Sequence, residues 1–157
     1  MGNYIYSEGK IGLWEEIRPP LLPLMLGLFW KMSLPYVIAA NILMFLFMAG
    51  TLLLVYVITK QLLNQYNGEH QTHDYYGLLA VLILTVSSIF MENSYQIMTE
   101  IPSIFFILLA YFVMIKQKYF LAGIMLALGF LTKYPTGIYL IPFILIIAVV
   151  YYNNLKL

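Results

Sequence analysis

The stretch that decides the fold is MSLPYVIAANILMFLFMAGTLLLVYVIT, residues 32–59, which contains no Asp, Glu, Lys or Arg. About 20 apolar residues let a helix cross the hydrocarbon of a bilayer, so this stretch predicts a membrane-spanning helix. An ionised side chain at the bilayer centre costs about 2.5 to 3.5 kcal/mol, so charges in such a chain should mark segment ends or lie on a shielded polar surface. Residues 75–152 carry only Glu92, Glu100, Lys116, Lys118 and Lys133.

The composition points the same way as this window. Hydrophobic residues make up 62% of the 157 residues, charged residues make up 10%, and the mean hydropathy is +0.86. Soluble domains carry about 25% charged residues, so we predict a protein surrounded by membrane lipids. The net charge of +1 and the scattered basic residues give no attraction for nucleic acid. The absence of cysteine excludes disulfides, thiolate metal sites and cysteine nucleophiles.

We therefore predict an all-α fold, a polytopic transmembrane bundle of about four to five spans. The apolar stretch Leu21–Phe29 follows Pro19 and Pro20 and is too short to span, which favours a short interfacial N-terminal helix. The last two segments are either separate spans or one helix kinked at Pro135. The predicted spans are Leu34–Thr59, Tyr75–Met91, Ile101–Ile115, Tyr119–Thr132 and Gly137–Tyr152.

Alternating these spans across the bilayer sorts the charges onto two sides. One side receives Lys60, Lys116, Lys118 and Lys156, and the positive-inside rule makes this side cytoplasmic. The extracytoplasmic side then receives Glu92, Glu100 and Lys133. We predict one domain in the cytoplasmic (plasma) membrane, with 1–33 as an extracytoplasmic or interfacial segment, 34–157 as transmembrane helices, and the active side outside.

Glu100 is the acid that stands out. It lies at the predicted start of a membrane helix, between Thr99 and Pro102, where the helix dipole stabilises a carboxylate. An ionised carboxylate there could bind a cation or a sugar hydroxyl. The alternative is an ordinary first-turn acid at the interface, and Glu92 is interpreted simply as the end of its span.

Two basic residues could bind an anion on the same side. Arg18 directly precedes two prolines and a short apolar helix, where its planar fork could grip a phosphate, or else contact lipid head groups. Lys133 lies at a predicted helix break in an apolar neighbourhood, and both phosphate binding and snorkelling to the head groups explain it. Tyr95 and Tyr134 lie nearby and could stack on a sugar, although most tyrosines are typical of interface belts.

The polar loop 61–74 contains Glu69, His70, His73 and Asp74, a set that could suggest a metal site. We favour a solvated loop, because no apolar shell surrounds these residues and the loop lies on the cytoplasmic side, away from the other acids. No metal-ligating residue is predicted, and the use of a divalent metal is left open.

Three runs together carry a resemblance to a known family: IGLWEEIRPPLLPLMLGLFWK (11–31), MTEIPSIFFILLAYF (98–112) and YFLAGIMLALGFLTKYPTGIYLIPF (119–143). In order and spacing they resemble the GT-C membrane glycosyltransferases, the superfamily of protein O-mannosyltransferases and lipid A aminoarabinose transferases. The resemblance implies transfer of a sugar, with inversion, from a polyprenyl-phosphate donor to a protein, lipid or glycan acceptor outside the cytoplasm. It implies that Arg18 contacts the carrier phosphate, that Glu100 lines the catalytic cavity as the candidate catalytic residue, and that Lys133 contacts the carrier or its phosphate.

One departure from the family pattern limits this expectation. The family has a first transmembrane helix and an acidic pair before the segment corresponding to residues 2–12, and further helices after the segment corresponding to the end of this sequence. We therefore expect a member incomplete at both ends, and we expect this chain alone to be inactive. The competing functions are a non-catalytic membrane scaffold that kept the fold, and a fragment of a transporter.

Overall fold

The computed structural model describes residues 1–15, 18–67 and 73–154, and over these ranges it contains helices and no strand. The all-α prediction is confirmed. A 3₁₀ helix, Tyr134–Tyr139, lies between the last two α-helices. The α-helices are α1 (Gly2–Tyr6), α2 (Leu21–Lys31), α3 (Tyr36–Asn67), α4 (His73–Val86), α5 (Ser88–Tyr95), α6 (Glu100–Ile115), α7 (Tyr119–Thr132) and α8 (Leu140–Asn154).

Within the described ranges, one helix is long and apolar enough to cross a membrane, the part of α3 from Tyr36 to Asn64. A second span results only if α4 and α5 are counted together, and these two helices meet at an angle of 69°. Three α-helices, α2, α6 and α7, and the segment Tyr134–Ala148 are apolar but shorter. The number of four to five spans therefore stays a prediction.

Two helix boundaries differ from those expected from the sequence. First, α3 continues past Lys60 to Asn67, so the loop predicted at 61–74 is largely helical at its start. Second, the segment predicted as one span from Tyr75 to Met91 breaks at Ser87, which adopts an extended backbone. Paired serines are a common cause of sharp kinks, and Ser88 follows directly. Of the two alternatives for the last two segments, the structure has separate helices, because α7 ends at its predicted residue, Thr132, and Lys133 is extended.

Among the described helices, α6 and α7 make the most extensive contact, and they run antiparallel across a short connection. Small residues line this contact: Ser103 and Ala110 on α6 face Ala122 and Gly129 on α7, and all four are buried. A Cβ on Gly129 would lie 3.7 Å from the Ser103 carbonyl oxygen. Small side chains let helices approach closely in membrane proteins, where packing drives helix association.

α3 packs against α6 through aromatic rings. The ring of Phe47 lies edge-on to Phe105 and Phe106, at centroid distances of 5.3 and 5.6 Å. Buried Met44 and Ile101 belong to the same cluster, which fixes the first half of α3 beside the start of α6. α3 also packs along α4.

The outer surface of the bundle is apolar. Large hydrophobic side chains are exposed on α3, α4, α7 and α8, with Phe45 60% and Phe120 82% exposed. Soluble monomers rarely expose large continuous apolar patches, whereas lipid-facing surfaces consist of them. The exposed apolar surface supports a membrane protein independently of helix length.

Candidate functional site

A cavity of about 710 Å³ lies between α1, the segment leading into α2, and the connection from α5 to α6. The apolar residues Leu22 and Leu26 of α2 form one side of it, and Tyr36, at the start of α3, contributes to the lining. Its polar lining residues are Asn3, Glu15, Arg18, Thr99 and Glu100.

Two glycines hold α1 against α2 and so keep the α1 wall of this cavity in place. A Cβ on Gly27 would lie 2.8 Å from the Cα atom of Gly2, closer than real Cβ contacts come. Because only glycine lacks this atom, the backbones of α1 and α2 touch directly at this point. Met1, Gly2 and Asn3 line the cavity as a result.

Arg18 lies at the mouth of the cavity, where its side chain is 71% exposed and forms an ion pair with Glu15. Exposed ion pairs contribute only about 0.2 to 1 kcal/mol. A guanidinium binds phosphate through two parallel hydrogen bonds, which are stronger. A phosphate arriving at Arg18 can therefore replace Glu15 as its partner.

Glu100 and Lys133 form an ion pair, with the Lys133 Nζ donating to Glu100 Oε1 at 2.8 Å. Glu100 is the first residue of α6 and Lys133 follows the last residue of α7, so the antiparallel packing of these helices brings the two together. The side chains are 31% and 35% exposed respectively. The pair is thus partly shielded from water but still reachable.

The backbone of the pair is also held in place. The Ser103 hydroxyl donates to the Glu100 carbonyl at 2.7 Å, and the Thr136 hydroxyl donates to the Lys133 carbonyl at 2.7 Å. Both hydroxyl-bearing residues are buried, as is Thr132, whose hydroxyl donates to the Leu128 carbonyl at 2.7 Å. Buried side chains therefore fix the main chain on both sides of the ion pair.

Glu100 is the first residue of α6 and lies outside α3, the helix that is long enough to cross a membrane. Its carboxylate is ionised at neutral pH. The hydrogen bond from Lys133 is the main cause lowering the pKa of the Glu100 carboxyl, and partial burial opposes this shift. The amino end of a helix also favours a negative charge. The carboxylate is therefore a strong hydrogen-bond acceptor and a weak base.

A second cavity, of about 260 Å³, lies on the other side of the ion pair, between α6 and the 3₁₀ helix. Its polar lining consists of Glu100, Lys133, Ser103, Thr136 and Tyr139, and isoleucines of α6 and the 3₁₀ helix supply most of the rest. Since Glu100 lines both cavities, its side chain lies in the wall that divides them.

The structure brings the three predicted charged residues into one neighbourhood: Arg18 and Glu100 share the larger cavity, and Lys133 bonds Glu100 from the smaller one. Tyr95 and Tyr134 line neither of these cavities. Tyr95 is 78% exposed at the end of α5, and the Tyr134 ring packs on Phe130 at 5.4 Å. Their role in sugar stacking stays a prediction.

Two tyrosines that the sequence did not single out do line the cavities, Tyr36 in the larger and Tyr139 in the smaller. Tyr36 begins the long apolar helix on the predicted side of Glu100, a position that could have identified it. Tyr139 ends the 3₁₀ helix, and no sequence pattern distinguishes it from the many interfacial tyrosines.

In the parts of the chain that the structure describes, no three His, Asp or Glu side chains come together as a possible metal site. Glu69 and His70 lie outside the described residues, as does the side chain of His73. Asp74 pairs with Lys60 and accepts a hydrogen bond from the Tyr56 hydroxyl at 3.0 Å. This pair joins α3 to α4 at the end of the bundle away from Glu100.

The comparisons with known proteins identify a family. A family model described as dolichyl-phosphate-mannose-protein mannosyltransferase matches residues 17–156, which include Arg18, Glu100 and Lys133. The chain belongs to this mannosyltransferase family. The family consists of membrane-associated, mannosyltransferase-like glycosyltransferases acting with lipid-linked sugar donors, which confirms the GT-C resemblance carried by the three sequence runs. No curated protein and no solved structure matches the chain.

Proposed function

We propose that the chain forms part of an integral-membrane glycosyltransferase that moves a sugar from a polyprenyl-phosphate donor to a lipid, glycan or protein acceptor. The reaction takes place on the extracytoplasmic side of the cytoplasmic membrane. The observation that carries the proposal is the position of Glu100 in the wall between two cavities, with Arg18 in one and Lys133 in the other.

Arg18 binds the phosphate of the donor. As the sugar leaves the carrier, negative charge builds up on that phosphate, and a fixed cation stabilises it most where water is partly excluded. Arg18 lies at the mouth of the larger cavity, where it is accessible to a donor phosphate, and its exposed pair with Glu15 is weak enough to be replaced. The apolar outer surface gives the carrier chain a place to lie alongside the helices.

Glu100 contacts the reacting hydroxyl. A carboxylate within hydrogen-bond reach of the acceptor can orient it and draw off its proton as the new bond forms. Because the hydrogen bond from Lys133 lowers the pKa of the Glu100 carboxyl, the carboxylate is a weak base, which favours orientation of the hydroxyl over complete proton removal ahead of bond formation. Tyr36 and Tyr139, which line the cavities, offer ring faces on which a sugar can stack.

The test is transfer of a radiolabelled sugar from polyprenyl-phosphate in membranes that contain the chain with all flanking sequence its gene encodes. Glu100→Gln and Arg18→Ala should each lower transfer at least 10-fold while membrane insertion stays normal. Glu92→Gln and Lys118→Gln are matched controls, since neither residue lines a cavity, and they should keep transfer at the wild-type level.

The outcomes separate the competing functions. Transfer by wild type that is insensitive to both site variants would show that the reaction takes place elsewhere. No transfer by wild type, with a normally inserted chain, would support a non-catalytic scaffold. Movement of the intact donor across the membrane, without transfer, would support a transporter.

A further inference from the structure

We propose that Lys133 is a positioning residue, which holds the Glu100 carboxylate in the wall between the two cavities and acts on sugar transfer through Glu100 instead of touching the donor phosphate. The inference rests on the proposed function and concerns the same site. It assigns to Lys133 a role different from the phosphate contact implied by the sequence resemblance.

The first support is the geometry of the pair. Lys133 Nζ lies 2.8 Å from Glu100 Oε1, so one of its three N–H donors is already used on the carboxylate. The carbonyls of both residues accept hydroxyl bonds from buried Ser103 and Thr136. With both main chains fixed, the Lys133 ammonium is the strongest of the groups that hold the carboxylate, ahead of the Glu100 backbone N–H and the Thr99 side chain.

The second support is the separation of the two cations. Arg18 lines the larger cavity and Lys133 lines the smaller, while Glu100 belongs to both. A phosphate bound to Arg18 therefore lies across Glu100 from Lys133. To reach Lys133 as well, the phosphate would have to approach the Glu100 carboxylate, and these two negative charges repel each other.

Removal of the Lys133 ammonium would change the surroundings of the Glu100 carboxylate. Without Lys133 the carboxylate keeps its place at the start of α6 and its weaker hydrogen bonds to its own backbone N–H and to Thr99, but it loses its strongest partner. It also lies beside apolar Ile104 and Ile107 of the smaller cavity, where a less well paired charge is costly. The acceptor would then meet a carboxylate that is less often ionised and less often aimed at it.

A double-mutant cycle tests the inference, with kcat and KM measured for a labelled polyprenyl-phosphate sugar in membranes holding the full reading frame. Lys133→Met should lower kcat about 10-fold and leave the donor KM unchanged, and Lys133→Arg should recover most of the loss. In the Glu100→Gln background, Lys133→Met should have no further effect on kcat, because the effects of substituting two residues that act as a unit do not add. A raised donor KM, or an equal loss in both backgrounds, would overturn the inference.

A second measurement does not depend on transfer. A membrane-permeant carbodiimide modifies protonated carboxyl groups, and mass spectrometry locates the product. Lys133→Met should raise modification of Glu100 several-fold, whereas the control Lys118→Met should not. Unchanged modification of Glu100 would refute the positioning role even if wild type transfers no sugar, so failure of the inference can be told apart from failure of the proposed function.

Discussion

Two helical glycines give opposite predictions for the same substitution, Gly→Ala. A Cβ on Gly50 of α3 would lie 2.5 Å from a ring carbon of Phe105, whereas a Cβ on Gly123 of α7 would meet nothing within 4 Å. Alanine is favoured over glycine inside a helix by about 0.5 to 1 kcal/mol. Gly123→Ala should therefore stabilise the fold by about that amount.

Gly50→Ala gains the same helix propensity but must move Phe105. That ring packs against Phe47 and Phe106 at 5.3 and 5.5 Å, so it cannot move without losing aromatic contacts. Overpacking a core costs about 1 to 3 kcal/mol and the lost ring contacts about 0.5 to 1.5 kcal/mol. Less the gain in helix propensity, the net result is a destabilisation of about 0.5 to 4 kcal/mol.

The two variants should thus differ by roughly 1.5 to 4 kcal/mol, which for a chain of this size is on the order of 3 to 15 °C in Tm. Circular dichroism at a fixed heating rate in one detergent measures this difference. Phe105→Leu in the Gly50→Ala background should recover part of the loss, since it removes the ring edge. Equal Tm values for the two alanine variants would refute the packing of α3 against α6.

Three further predictions concern the site and its orientation. The chain has no cysteine, so single cysteines can report its orientation. Ile138→Cys, at the smaller cavity, should react with a membrane-impermeant maleimide added to intact cells, whereas Lys118→Cys should react only after the membrane is opened. The reverse pattern would contradict the predicted orientation. Because Lys133 lowers the pKa of Glu100, their pair stabilises the fold fully above the ordinary carboxyl pKa and loses this effect as the pH falls through the lowered value. The Tm difference between wild type and Lys133→Met should therefore shrink in acid, and a constant difference would show that the pair is not its source. Tyr139→Leu should raise the KM for the sugar donor or for the acceptor about 2- to 10-fold with little change in kcat, as expected when a ring that stacks on a sugar is lost. A loss confined to kcat would contradict this stacking role.

Much of the helical pattern follows from the sequence, because apolar segments bounded by charges or prolines are local features. α7 has the predicted bounds Tyr119–Thr132, and α6 begins one residue before the predicted Ile101. Hydropathy could not show the break at Ser87, since apolar residues lie close on both sides of it, Leu84 and Val86 before and Ile89 and Phe90 after. It also could not show that α3 continues beyond Lys60, because a polar segment is compatible with both a loop and a solvated helix.

The sequence singled out the three charged residues of the candidate site but not the contacts between them. The order of the predicted spans alone places three residues on the predicted extracytoplasmic side: Arg18, Glu100 and Lys133. The bond between Glu100 and Lys133 joins residues 33 positions apart and depends on how closely α6 and α7 pack. That closeness comes from several small residues acting together, Gly129 among them, and no single one of them identifies the pairing.

The length of α3 has a practical consequence. Its 32 residues extend about 48 Å, and even at a steep tilt of about 40° this exceeds the roughly 30 Å of hydrocarbon in a bilayer. Since the charged pair of Lys60 and Asp74 lies towards the Asn67 end of α3, we expect the last turns of this helix to extend beyond the bilayer into the aqueous phase. An affinity tag inserted after Asn67 would be accessible to antibody and protease while leaving the lipid-embedded helices and both cavities undisturbed.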